Sequence, residues 1–93
     1  MNIEKLYTLI SQRKENPIEG SYTCHLFSKG EDKILQKVGE EAIEVILAAK
    51  GQGKERLVEE ISDLTYHMLV MMVEKGIELE DIQAELQTRH KPE

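Results

Sequence analysis

Two stretches of sequence decide the fold: Lys37-Val-Gly-Glu-Glu-Ala-Ile-Glu44 and Glu59-Glu-Ile-Ser-Asp-Leu-Thr-Tyr-His67. Each stretch carries two acidic residues three positions apart, and these are Glu41, Glu44, Glu60 and Asp63. On a helix, side chains three positions apart lie on the same face. If both stretches are helical and pack as neighbours, four carboxylates converge between them.

Converging carboxylates repel one another, which raises the pKa of some of them unless a positive charge is present. A divalent cation is the simplest compensation. The stretches contain neither a His-x-x-x-His pair nor a thiolate cluster, so the expected ion is Mg²⁺ or Mn²⁺ rather than zinc. At about 100° per residue the acids border the apolar stripe of each helix, where a metal site is shielded from water.

A solvated acidic surface is the alternative interpretation of the same four residues. The chain has 18 acidic residues among 93, so two such pairs can arise by chance. On spacing alone the solvated surface is the simpler interpretation, because a short motif needs structural context before it indicates chemistry.

The composition indicates one small helical domain over residues 1–93. Charged residues make up 32% and aromatic residues 4%, with two prolines and no tryptophan, a balance that favours helices over a β-sandwich or barrel. The net charge of −6 argues against binding to nucleic acid or to an anionic membrane. Cys24 is the only cysteine, which excludes an internal disulfide and a cysteine-based zinc site.

No basic region followed by a long apolar run opens the sequence, and no run of about eighteen apolar residues occurs. The sequence therefore predicts a cytoplasmic protein.

Apolar periodicity predicts an all-α fold with helices over residues 3–14, 31–50, 54–75 and 78–88. Asn2 is a plausible N-cap of the first helix, and Gly76 is expected to end the third. Residues 15–30 contain Asn16-Pro17 and two glycines, and they are predicted to form an ordered loop. The short break at Gly51-Gln52-Gly53 makes the second and third helices an antiparallel hairpin, the centre of a bundle of four to five helices.

A homodimer is predicted from apolar surface that a small monomer cannot bury. Residues 68–73 are apolar on every side of the third helix, and Ile43 and Leu47 lie on the back of the second helix's stripe. We expect these surfaces to pack between subunits and to complete the bundle.

Several polar residues are candidates for binding an anionic ligand. The loop offers hydroxyl donors at Ser21, Tyr22 and Thr23, although each is also a common loop residue. Lys33 and Lys37 lie one helical turn apart and are able to contact phosphates. For Lys37 the alternative is a plain ion pair with Glu41. His67 follows Asp63 by one turn, where a packed core histidine is favoured over a hydrogen bond that supports the site.

The acidic motif resembles a known signature. Glu41-Ala-Ile-Glu44 followed by Glu60-Ile-Ser-Asp63 is similar to the Glu-x-x-Glu, Glu-x-x-Asp pattern of the all-α nucleotide pyrophosphohydrolases related to MazG. Further segments resemble the phosphoribosyl-ATP pyrophosphatase family over nearly the whole chain: Ser21-Tyr22-Thr23, Leu26-Phe27, Lys29-Gly30, Lys33-Ile34, residues 36–41 and residues 60–67. Together, the motif and these segments favour a catalytic site over a solvated surface as the interpretation of the four acids.

The resemblance implies a MazG-like bundle that hydrolyses the α–β phosphoanhydride of phosphoribosyl-ATP, using Mg²⁺, in the second step of histidine biosynthesis. It implies metal-ligand and catalytic roles for Glu41, Glu44, Glu60 and Asp63, one of which also orients the attacking water. Glu40 points about 100° away from Glu41 and is the weaker candidate. Family members are often fused to a zinc-dependent phosphoribosyl-AMP cyclohydrolase with cysteine ligands. With one cysteine, this chain is expected to leave that step to another polypeptide.

Three alternatives are open. A housecleaning enzyme acting on dCTP, dUTP or damaged nucleotides keeps the fold and changes the substrate, and the resemblance of residues 16–30 argues against it. A helical dimerisation module whose acids are only solvated has no metal site. A carboxylate-bridged di-iron bundle requires Glu-x-x-His pairs, which the sequence lacks.

Overall fold

The computed structural model describes residues 1–90, which form five α-helices and no strand. The helices are α1 (Ile3–Glu15), α2 (Tyr22–Lys29), α3 (Glu31–Gly51), α4 (Lys54–Lys75) and α5 (Leu79–Arg89). The all-α prediction is confirmed, and the four predicted helices agree with the observed ones to within one residue at each end. The predicted fourth helix is therefore α5. The tail from Lys91 to Glu93, expected to fray, lies outside the described residues.

Local capping explains where the helices start and stop. The side chain of Asn2 accepts a hydrogen bond from the Lys5 N–H at 2.8 Å, which confirms Asn2 as the N-cap of α1. Gly76 ends α4 in the left-handed conformation, with φ of 72°, where a residue without a Cβ is favoured.

The prediction of a loop over residues 15–30 is wrong for its second half, which forms α2. Ser21 caps this helix, since its Oγ accepts a hydrogen bond from the Cys24 N–H at 3.2 Å. Gly30 is the C-cap of α2, with φ of 94°, and it is also the residue that precedes α3. Leu26 is fully buried, so α2 contributes a side chain to the core despite its shortness. The sequence contains the residues that cap α2, but the many turn-forming residues of this segment favoured a loop over a helix.

The two long helices α3 and α4 pack against each other as a hairpin, with Gln52 and Gly53 as the break. The core lies at one end of this hairpin, where α1 and α2 cover it. Its buried apolar side chains are Ile10, Leu26, Ile34, Leu69, Val70 and Met72. At the other end of the hairpin, near the break, most side chains are exposed in the part of the chain that the structure describes.

This one-sided core corrects one expectation. Leu69, Val70 and Met72 were predicted to pack between subunits but are buried inside the chain, because α1 and α2 cover that part of α4. Conversely, the apolar stripe of α3 is only partly buried, because two of its residues, Leu35 and Ile46, are exposed.

Two further observations complete the fold. The Tyr7 hydroxyl donates to the Ile77 carbonyl at 2.7 Å, which joins α1 to the turn after α4. Within residues 1–90, none of the helices combines the length and the hydropathy that a membrane span requires.

Candidate active site

Three carboxylates meet between the two long helices. Glu41 projects from α3, and Glu60 and Asp63 project from α4 one turn apart. One oxygen from each lies within 4.8 Å of the others. Glu60 is only 3% exposed, whereas Asp63 is open to solvent. The group therefore has a buried side and an accessible side, the arrangement needed to hold a ligand that arrives from solvent.

These three acids lie in a cleft of about 470 Å³. Its lining residues are Lys37, Glu40, Glu41, Glu44, Arg56, Glu60 and Asp63. All four acids predicted from the sequence motif therefore reach the same cleft. Glu44 lies outside the group of three whose oxygens come together, and it is exposed.

Lys37 provides a positive charge on the α3 side of the cleft. Its Nζ lies 3.3 Å from Oε1 of Glu41 and 3.7 Å from Oε1 of Glu40, so the predicted ion pair with Glu41 is present. Burial opposes the charged form of Lys37, but the hydrogen bond to Glu41 and the nearby charges outweigh it and raise the Lys37 pKa. Lys37 therefore keeps its charge in the cleft.

Glu40 stands at the rim of the cleft. Its Oε2 accepts a hydrogen bond from Gln36 Nε2 at 2.8 Å. This hydrogen bond is the main reason that the pKa of Glu40 is lowered, with the charge of Lys37 adding to it. Glu40 is exposed and is not among the three meeting carboxylates, consistent with its place as the weaker candidate.

Arg56 provides the positive charge on the α4 side, and the sequence analysis missed it. Its Nη2 lies 2.8 Å from Oε1 of Glu60, and its Nη1 lies 4.0 Å from Glu59. A buried carboxylate is costly without a cation or hydrogen bonds, and Arg56 supplies both to Glu60. The available signal was the i, i+4 spacing of Arg56 and Glu60 on a helix.

His67 is buried, as predicted, and it is hydrogen-bonded at both ring nitrogens. Nδ1 lies 2.7 Å from the carbonyl oxygen of Asp63, and Nε2 lies 3.1 Å from the hydroxyl of Tyr22. The ring also makes an edge-on contact with Tyr66. His67 thus joins the first residue of α2 to the turn of α4 that carries Asp63.

The remaining predicted binding residues lie outside the carboxylate cleft. Ser21 uses its hydroxyl to cap α2, and the Thr23 hydroxyl is hydrogen-bonded to the hydroxyl of Tyr66. Lys33 is half-buried one turn before Lys37 and does not line the cleft. A second cavity of about 660 Å³ lies beside α2, and Ser21 and Tyr22 contribute to its wall.

The fold and the cleft define an all-α protein in which a helical hairpin gathers a Glu-x-x-Glu and a Glu-x-x-Asp motif around one opening. Residues 3–90 match the sequence model of the phosphoribosyl-ATP pyrophosphohydrolase family, and the chain belongs to that family. The resemblance inferred from the sequence and the hydrolase class are confirmed.

Relatives with curated names agree with this assignment. The chain is 58% identical over 89 residues to a phosphoribosyl-ATP pyrophosphatase of Clostridium botulinum strain Hall, covering 96% of this chain and 81% of that protein. A phosphoribosyl-ATP pyrophosphatase of Lactiplantibacillus plantarum is 56% identical over 88 residues, covering 95% and 83% of the two chains. The histidine biosynthesis bifunctional protein HisIE of Caldanaerobacter subterraneus is 57% identical over 89 residues, which are 96% of this chain and 43% of that protein.

Proposed function

We propose that this protein hydrolyses the α–β phosphoanhydride of phosphoribosyl-ATP to phosphoribosyl-AMP and pyrophosphate in histidine biosynthesis, and that the reaction depends on Mg²⁺. The observation that carries the proposal is the meeting of Glu41, Glu60 and Asp63 within 4.8 Å in an open cleft. Family membership and the names of the relatives support the substrate.

The donor set fits a hard divalent cation. Every candidate ligand atom is a carboxylate oxygen, and the buried position of Glu60 keeps one of them in a fixed place. We assign Glu41, Glu60 and Asp63 as the ligands, with Glu44 as a fourth ligand or as the acceptor of the attacking water's proton. When bound, the cation supplies charge neutralisation for the phosphates of the substrate.

Cationic side chains on both sides of the cleft suit a polyphosphate substrate. Lys37 and Arg56 lie on opposite helices, and each is paired with a carboxylate that the cation would engage. Both are therefore positioned to turn to phosphate oxygens once the cation takes over their carboxylates. Lys33, one turn before Lys37, extends this cationic surface, whereas Ser21 and Thr23 act through the placement of α2.

The test is pyrophosphate release from phosphoribosyl-ATP in Mg²⁺ and in EDTA, with dCTP, dUTP and ATP as controls. We expect metal-dependent release from phosphoribosyl-ATP alone. Release from the deoxynucleotides would overturn the substrate and keep the metal-dependent chemistry. No release from any of them would overturn the proposal.

We also propose that the protein is a homodimer. Five large apolar side chains are exposed near the break of the hairpin, and these are Ile43, Ile46, Leu47, Val58 and Ile61. They lie on both long helices, on surface that residues 1–90 leave exposed, and a second copy of the chain would cover them. The same end carries Glu44, so dimerisation also reduces the solvent exposure of the cleft's rim.

A further inference from the structure

The tautomer of His67 is defined because the hydrogen-bond partner of its Nδ1 is a carbonyl oxygen. The Asp63 carbonyl oxygen has no proton to give, so at 2.7 Å the ring must donate through Nδ1–H. The neutral imidazole has one donor and one acceptor, and Nε2 is then the acceptor. The buried position of the ring, only 5% exposed, holds it in this orientation.

The hydroxyl of Tyr22 is therefore committed as a donor. It lies 3.1 Å from His67 Nε2, and it gives its proton to that nitrogen. The phenol ring is also held by an edge-on contact with His67 and a stacked contact with Tyr66. With this tautomer, Tyr22 offers the lone pairs of its oxygen to a ligand.

Tyr22 lines the cavity beside α2, outside the carboxylate cleft, but it is linked to the helix that carries Asp63. It begins α2, it is about half-exposed, and through His67 it is joined to the turn that carries Asp63. An oriented acceptor at this place is suited to bind a cation or the hydroxyl or amino groups of a nucleotide. It is less suited to phosphate oxygens, because these are acceptors as well.

We infer that His67 is a positioning residue that sets the hydroxyl of Tyr22 as a hydrogen-bond acceptor for the nucleotide end of the substrate, at a fixed distance from the Asp63 turn. The inference rests on the proposed function, because it takes phosphoribosyl-ATP as the ligand. It assigns His67 no contact with the reacting atoms, and it predicts an effect on substrate binding rather than on the chemical step.

The experiment compares Tyr22→Phe, His67→Asn, His67→Gln and the double variant Tyr22→Phe/His67→Asn. Asn places an amide near Nδ1 and loses the bond to Tyr22, whereas Gln places an oxygen near Nε2 and retains an acceptor. Dissociation constants for phosphoribosyl-ATP are measured by calorimetry with Ca²⁺ replacing Mg²⁺, with a check that the nucleotide stays intact. Steady-state kinetics in Mg²⁺ are measured separately.

We expect Tyr22→Phe and His67→Asn each to raise Kd and KM by roughly 5- to 10-fold, the effect of one lost hydrogen bond, with kcat within about twofold. The double variant should be no worse than either single variant, and His67→Gln should recover part of the loss. Tyr7→Phe is the matched control, since it also removes one tyrosine hydrogen bond between distant parts of the chain and should leave Kd and KM unchanged.

Each contrary result has a distinct meaning. Unchanged Kd and KM in Tyr22→Phe would overturn the inference, and a lower melting temperature alone would then leave the bond a structural role. Wild type that binds phosphoribosyl-ATP but releases no pyrophosphate in Mg²⁺ would overturn the proposed function, while the Kd ratios still decide the role of His67. Wild type that does not bind would overturn both.

Discussion

Arg56 Nη2 lies 2.8 Å from Oε1 of Glu60, one helical turn away on α4. The two side chains are unequal partners, because Arg56 is half-exposed whereas Glu60 is almost fully buried. Arg56 therefore neutralises a carboxylate that is largely shielded from water. Since Glu60 is also a proposed ligand, Arg56 and a bound divalent cation would compete for the same carboxylate.

Substitution of Arg56 by Gln should strengthen cation binding. Without Arg56 the buried charge of Glu60 is uncompensated, so we expect the free energy of unfolding without cation to fall by about 1–2 kcal/mol. The Mg²⁺-induced rise in melting temperature should increase, because the ion no longer displaces an arginine. Calorimetry and thermal melts measure the two effects. Arg89→Gln is the control, since it breaks an exposed arginine–glutamate pair of similar length, 2.9 Å. An Mg²⁺ affinity unaffected by Arg56→Gln would contradict the competition.

Glu60→Gln should remove metal-dependent turnover. The amide keeps the size of the side chain but not its charge, so we expect kcat/KM to fall by at least about 100-fold and the Mg²⁺-induced stabilisation to be lost. Pyrophosphate release and thermal melts with and without Mg²⁺ measure this. Glu59→Gln is the matched control, because Glu59 is the neighbouring residue but points to solvent. Near-wild-type turnover in Glu60→Gln would remove Glu60 from the ligand set.

Ile46→Glu should convert the dimer to a monomer. Ile46 is 66% exposed in a single chain, so a charge there is tolerated by the folded monomer but not at an apolar interface. Light scattering coupled to size exclusion at micromolar concentration measures the mass. Ile82→Glu places the same charge on an exposed position of α5 and should leave the dimer intact. A wild-type protein that is monomeric under these conditions would rule out the proposed dimer.

Gly30→Ala should destabilise the fold. Gly30 has φ of 94° and ψ of −179°, a conformation that residues with a Cβ rarely adopt, so we expect a loss of about 1–3 kcal/mol. Gly51 ends α3 without a positive φ, and Gly51→Ala should be neutral or stabilising by up to about 1 kcal/mol. Urea unfolding of the two variants gives the comparison. Equal stability of both variants would show that the joint between α2 and α3 adapts to a side chain.

Alkaline unfolding should depend in part on Tyr7. Burial is the main reason that its pKa is raised above the usual value of 10.0, and the negative charge of Glu78 adds to the effect. The unfolded chain loses this proton first as the pH rises. The stability that Tyr7 contributes is therefore present below about pH 10 and is lost between the unfolded and folded pKa values. Melting temperatures at increasing pH should fall less steeply in Tyr7→Phe than in wild type. Parallel curves for the two proteins would contradict a role for Tyr7.

The sequence predicted the long helices because their apolar spacing is regular and glycine marks their ends. It missed α2 because a helix of eight residues gives too few turns for a period to be recognised next to Asn16-Pro17 and Gly20. Leu69 and Val70 were assigned to an interface between subunits because helical periodicity does not show which helices of the same chain pack against α4.

The acids of the cleft were predictable because helical spacing within one hairpin fixes which carboxylates share a face. The bond between Tyr22 and His67 was not, because it joins residues 45 positions apart on helices whose relative placement no local pattern encodes. The ion pair of Arg56 with Glu60 was also predictable, because the two residues have i, i+4 spacing on one helix.

The break at Gln52 and Gly53 has a consequence for how the protein folds. All lining residues of the cleft lie between Lys37 and Asp63, so a single hairpin closure over a short stretch of chain brings them together. Docking of α1 and α2 onto α4 requires longer closures, such as the 45 positions between Tyr22 and His67. We therefore expect the carboxylates to approach one another before α4 is fully covered, so that their repulsion opposes this step of folding. Lys37 and Arg56 belong to the same hairpin, so the charges that offset this repulsion arrive together with it.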